Sequence, residues 1–104
     1  MVWQLLATRI MESNEISHHQ VRLYDYLRAN PQWHTGKSIS EGAGLNNRTV
    51  RAHVLKFVKL GLVDQLELYP GHRYRWSEIA EKRNKAMFQR LEQASQVFRE
   101  MTAV

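Results

Sequence analysis

A mainly α-helical chain with one small β-hairpin is the fold class this sequence predicts, and three observations predict it. Apolar residues recur at helical spacing through most of the length. The period changes once to alternation, between residues 63 and 77, around Pro70-Gly71. Gly and Pro separate the segments, and there is no internal repeat or low-complexity tract. At 104 residues the chain fits one domain. It is expected to comprise an N-terminal helical segment (1–15), a central unit (16–77) and a C-terminal helix (78–104).

Each element has its own signal. Trp3, Leu6 and Ile10 share one side and predict a short helix over residues 2–12. Ser17 and Gln20 form an S-x-x-Q capping box with Ile16 and Val21 at the staple positions, so a helix starts there. Val21, Leu23, Tyr24 and Leu27 form its apolar stripe, and Pro31 stops it near Asn30. Thr35 caps a short helix over 36–43, with Ile39 and Ala43 inward and Gly44 as a left-handed residue past its end. Asn46 or Asn47 caps the next helix, which buries Val50, Val54 and Phe57 and stops at Gly61. Leu66, Leu68, Tyr74 and Trp76 then alternate with polar residues. They predict antiparallel strands over 63–68 and 73–77, which must pack on the helices because an isolated hairpin is only marginally stable. Ser77 caps a last helix over about 78–101.

The composition excludes several classes. Cysteine is absent, so there is no disulfide framework, thiolate metal site or cysteine nucleophile. No run approaches the roughly 20 apolar residues of a membrane span. The opening MVWQLLA lacks the basic leader of a signal peptide. A cytoplasmic protein without a membrane partner is expected. His18 and His19 are adjacent and point to different sides of a helix, while His34, His53 and His72 stand on separate elements. No metal site and no cofactor are expected, and His53 reads as a packed, hydrogen-bonded residue. Glu41, Asp64 and Glu67 are scattered, and no nucleophile or phosphate-loop motif is present, so the protein is not expected to be an enzyme. Trp3, Trp33 and Trp76 read as core or core-edge residues, and no small-molecule effector is predicted.

The net charge is +5, and residues 31–76 hold +4 of it. An excess concentrated in one third of the chain points to a local surface for a polyanion. Within that third, two helices separated by a short Gly-containing turn form a helix-turn-helix arrangement. Asn47, Arg48, Thr49, Arg51 and Ala52 occupy the exposed first turns of its second helix. An α-helix fits the major groove, where Arg and Asn bond guanine and adenine edges bidentately. These five are the candidates for base readout. Leu55 shares a side with Arg51 and Ala52, either as a thymine-methyl contact or as an exposed apolar residue without a role. Lys37, Ser38, His72, Arg73 and Arg75 are the candidates for the phosphate backbone.

The run TGKSISEGAGLNNRTVRAHVLKFVKLGLVDQLELYPGHRYRW resembles the winged helix-turn-helix domain of prokaryotic transcription regulators of the ArsR/MarR-like type. Leu45-Asn-Asn-Arg-Thr-Val50-Arg51 is similar to the start of a recognition helix. Leu60-Gly61-Leu62-Val63 resembles the exit into a wing, and Pro70-Gly71-His-Arg-Tyr74-Arg resembles a wing tip and its returning strand. The resemblance covers residues 16–77. It implies a winged helix-turn-helix, here with an N-terminal helix and a long C-terminal helix added, a recognition helix in the major groove and a basic wing on DNA.

In the last segment Ala80, Asn84, Met87, Leu91, Ala94, Phe98 and Met101 are spaced 4, 3, 4, 3, 4, 3, as in a heptad seam. The expectation is a homodimer joined along this seam, with Asn84 setting register; the alternative is that the stripe packs on the chain's own N-terminal helix. The functional expectation is a homodimeric transcriptional regulator that binds double-stranded DNA sequence-specifically and is nucleoid-associated when bound. The alternative is an accessory protein of plasmid or phage replication, partition or assembly. A purely protein-binding winged helix is disfavoured by Arg48, Arg51, Arg73 and Arg75.

Overall fold

The computed structural model describes residues 16–102. The helix expected over 2–12 lies outside the described residues. Five helices and two strands follow in the order α1 (His18–Ala29), α2 (Gly36–Ala43), α3 (Asn47–Lys59), β1 (Val63–Leu66), β2 (Arg73–Trp76), α4 (Ala80–Arg83) and α5 (Lys85–Thr102). Among the described residues no helix is long and apolar enough to cross a membrane.

The caps read from the sequence form. The Gln20 amide donates to the Ser17 hydroxyl at 3.2 Å, and the Ser17 amide donates to the Gln20 side-chain carbonyl at 2.9 Å. Two otherwise orphaned donors are thereby satisfied, and the staple residues Ile16 and Val21 are buried. Thr35 accepts from the Ser38 amide at 3.0 Å to start α2. Asn46 accepts from the Thr49 amide at 2.8 Å to start α3. At the far end of α3 the Leu62 amide returns to the Phe57 carbonyl and the Gly61 amide to that of Val58. This is the Schellman pattern, and it needs a left-handed residue, which Gly61 supplies with φ of 80°.

Val21, Leu23, Leu27, Ile39, Val50, Val54 and Phe57 form the core of α1–α3. Aromatic rings then tie the remaining elements to it. Trp76 of β2 meets Tyr24 edge-on at 5.2 Å and Phe57 at 6.3 Å, with Phe88 of α5 alongside at 6.4 Å. Edge-to-face pairs of this kind add about 0.5–1.5 kcal/mol each beyond area burial.

The wing departs from the sequence reading in the extent of its strands and in the face that Leu66 takes. Val63 pairs with Trp76, Asp64 with Arg75, Gln65 with Tyr74 and Leu66 with Arg73. Side chains alternate across a strand, so Leu66 shares a face with Asp64 and not with Val63. Leu66 and Leu68 are exposed, and Leu62 and Val63 take the inner role expected of them. A third strand position adds to the hairpin. His34 exchanges both backbone hydrogen bonds with Tyr74, each 2.8 Å, which pins the wing to the start of α2.

The long last helix is corrected. It breaks at Asn84, whose φ of −149° and ψ of 73° are not helical. The break has a cause in hydrogen bonding. Asn84 Oδ1 accepts from the Met87 amide at 3.2 Å and so caps α5, while its Nδ2 donates to the Leu60 carbonyl at the end of α3 at 3.1 Å. Ser77 does not cap a helix over 78–101; its hydroxyl accepts from the Ile79 amide at 3.2 Å in the turn before α4. The heptad residues Ala80, Met87, Leu91 and Ala94 are buried within the chain itself, Phe98 is half-buried and Met101 is exposed. The stripe of α5 packs on α1. Ser95 donates to Asp25 at 2.6 Å, and the Tyr24 hydroxyl donates to Glu92, which Arg28 also binds. Burial and the Glu92 carboxylate push the Tyr24 phenol well above its ordinary range, so it remains a donor.

Candidate nucleic-acid interface

The N-terminus of α2, the outward side of α3 and the inner side of the wing enclose an open groove of about 860 Å³. Its position follows from local structure already described. The Thr35 cap opens α2 into it, the Asn46 cap opens α3 into it, and the His34–Tyr74 bridge holds the wing opposite. Among its lining residues are Lys37, Asn47, Arg51, Leu55, His72 and Arg73, and no carboxylate is among them. Both helix N-termini add their partial positive charge to the same opening. The result is a concave cationic surface with one helix running along its floor.

The structure sorts the residues expected to touch DNA. Lys37, Asn47, Arg51, His72 and Arg73 come together in the groove. Asn47 and Arg51 are one helical turn apart and both exposed. Arg48 and Ala52 are exposed on α3 outside the groove lining, and Thr49 is half-buried beside its capped amide. Arg73 leans on its own turn, donating to the Gly71 carbonyl at 2.9 Å.

Two of the residues expected at the phosphate backbone have partners within the chain. Ser38 faces inward, its hydroxyl 3.2 Å from His34 Nδ1, while His34 Nε2 lies 2.9 Å from the Asn30 carbonyl. The Asn30 carbonyl can only accept, so Nε2 donates to it, and the Ser38 hydroxyl holds the other ring nitrogen of this buried histidine. Arg75 is held between neighbouring strands. Its guanidinium lies 4.3 Å over the Trp33 ring on one side and 3.3 Å from Asp64 on the other. Asp64 is bound again by Arg83 of α4 at 2.9 Å. Arg75 therefore braces the wing. The sequence did not give this away, since a tight hairpin closing on Pro70-Gly71 would set Asp64 opposite Ser77; the observed register sets it opposite Arg75, and the Trp33 stack needed the third strand position.

His53 is half-buried near His19, with ring centroids 6.2 Å apart. Desolvation, then His19 and Lys56, lower its pKa from the usual 6.5. His18 is lowered likewise by desolvation, Arg22 and His19. Among the described residues no group of three or more His, Asp or Glu side chains is placed to hold a metal ion.

No protein-family model matches the chain, and no curated protein matches it. Its fold, however, is similar to that of solved structures, transcription regulators among them. The organohalide-sensing regulator RdhR in its ligand-free form superposes with a TM-score of 0.67 at 21% identity, over 98% of this chain and 60% of that one. A MarR-family transcriptional regulator from Rhodococcus sp. gives 0.60 at 12% identity, over 90% and 68%. A protein from the archaeon Sulfolobus tokodaii gives 0.62 at 18% identity and spans the whole of both chains. This chain has the winged helix-turn-helix fold of MarR-type regulators, and it covers less than two thirds of the RdhR length.

Proposed function

We propose that this protein binds double-stranded DNA sequence-specifically, as a homodimeric transcriptional regulator. The single observation that carries the reading is the groove between α3 and the wing, which gathers Lys37, Arg51, Arg73 and His72 with no carboxylate in its lining. A polyanion would neutralise the charges of Lys37, Arg51 and Arg73, and the exposed first turns of α3 have the width and the residue types to enter a major groove. Asn47 and Arg51 would read bases, with Arg48, Thr49 and Ala52 beside them. Lys37, His72 and Arg73 would hold phosphates on either side.

A dimer is supported by the outer end of α5, where Met101 is exposed next to the half-buried Val97 and Phe98. In a two-fold arrangement the recognition helices would reach successive major grooves, about 34–36 Å apart, and the site would be a pseudo-palindrome. Regulation by a small molecule is not part of this reading.

The test is selection of binding sites from a pool of random duplexes, followed by titration in rising salt. Enrichment of a two-fold symmetric motif, with affinity falling steeply with salt, is the expected result. Recovery of no motif, or binding equal on all duplexes, would overturn sequence-specific recognition.

A further inference from the structure

We propose that Leu55 is a specificity residue that reads the C5-methyl group of thymine in the major groove; this inference rests on the DNA-binding reading above. Leu55 is 39% exposed, so its side chain gains only part of its burial within its own chain. It lies one turn beyond Arg51 and two beyond Asn47, at i+4 spacing, and all three line the same groove. They form one stripe along α3.

The chemistry of the stripe is mixed, and that decides what it can recognise. Asn47 and Arg51 offer hydrogen-bonding groups. Leu55 offers none, so it can reward only an apolar group on the opposing surface. Base pairs present donors, acceptors and a single apolar group in the major groove, which is the thymine methyl. An apolar peptide or a second copy of this chain would have to sit against Lys37, Arg51 and Arg73 without a carboxylate from the groove to offset them. Duplex DNA satisfies both parts of the surface, phosphates meeting the cations and a methyl meeting Leu55.

The experiment uses a duplex enriched from the random pool, with each thymine replaced in turn by deoxyuridine. That change removes one methyl and leaves every hydrogen-bonding group in place. Wild-type protein is expected to lose about fourfold in affinity at one thymine per half-site, the equivalent of one carbon-sized apolar group no longer buried. Leu55→Ala is expected to bind the thymine and deoxyuridine forms of that position equally, whereas Leu55→Met and Arg51→Ala keep the difference. Indifference of the wild type to every replacement overturns the proposal, as does a selected site without thymine or a Leu55→Ala protein that stays methyl-sensitive. Each of these leaves DNA binding itself standing. Failure to enrich any duplex removes both readings together.

Discussion

Arg73 and Arg75 stand two residues apart on one strand, yet their surroundings give them different work. Arg73 reaches into the groove, whereas Arg75 is only 33% exposed, stacked on Trp33 and paired with Asp64. Arg73→Ala should lower the salt slope of DNA binding by roughly one unit, equally on cognate and random duplexes. Arg75→Ala should leave that slope unchanged and instead lower the thermal midpoint slightly, since a partly exposed ion pair contributes about 0.2–1 kcal/mol. Salt titrations and melting curves of the two variants separate these outcomes. Asn47→Ala and Arg51→Ala should each weaken the selected site by about 1–3 kcal/mol and relax base preference; competition against single-base variants of the site measures both. A further residue-scale effect concerns pH. The lowered pKa of His53 means that the unfolded chain binds its proton first as pH falls. Its neutral form is stabilised in the fold, and that contribution is lost as pH drops from 6.5 through the lower folded value. His53→Gln should therefore flatten the fall in melting temperature between about pH 7.5 and about pH 5. An unchanged pH profile would show that His53 contributes nothing to it.

Among the elements, the junction of α4 and α5 separates sequence pattern from structure most clearly. The 4, 3, 4, 3 spacing is present, and Asn84 occupies a seam position. A seam position is also a face position on a single helix, and periodicity does not say which surface covers it. Here Leu91 and Ala94 are buried within the chain, where α5 packs on α1, and Asn84 leaves the helix to cap α5 and hold the Leu60 carbonyl. Replacing Asn84 with Ala removes an N-cap and leaves that carbonyl without its side-chain donor. The expected cost is about 1–2 kcal/mol, read as a lower denaturation midpoint with DNA contacts unaltered at saturating protein. The caps of α1 and α2 were legible in the sequence, and that of α3 to within Asn46 or Asn47, because each depends on residues three apart in the chain. The strand register was not, because it depends on how Val63 and Trp76 settle on Phe57 and Tyr24.

At the scale of the whole molecule, the α5 stripe bears on both folding and association. Leu91 is fully buried in the core of one chain. Leu91→Asp would strand a charge there and should abolish folding rather than yield a folded monomer. Met101 is 38% exposed at the end of α5, so Met101→Asp should keep the fold and disrupt only the proposed dimer. Circular dichroism with sedimentation equilibrium distinguishes the two. A Met101→Asp protein that sediments like a dimeric wild type would move the interface elsewhere.

The local rules of the chain were sufficient for element type and ends over residues 16–61 and for the helix-turn-helix itself. The signals there are short-range: a capping box, a glycine at a helix end, apolar residues one turn apart. They also placed Asn47 and Arg51 on the exposed side of α3, since Val50, Val54 and Phe57 determine which side is buried. What the sequence left open was decided by contacts between distant segments. His34 meets Tyr74 and orients the wing; Trp33 and Asp64 hold Arg75 against the chain. The packing of α5 on α1 accompanies the burial of Leu91 and Ala94, which spacing alone left open between a second copy and the chain's own N-terminal helix. An apolar face carries no record of its partner. The surface nearest in space covers it, and only the folded chain shows which surface that is.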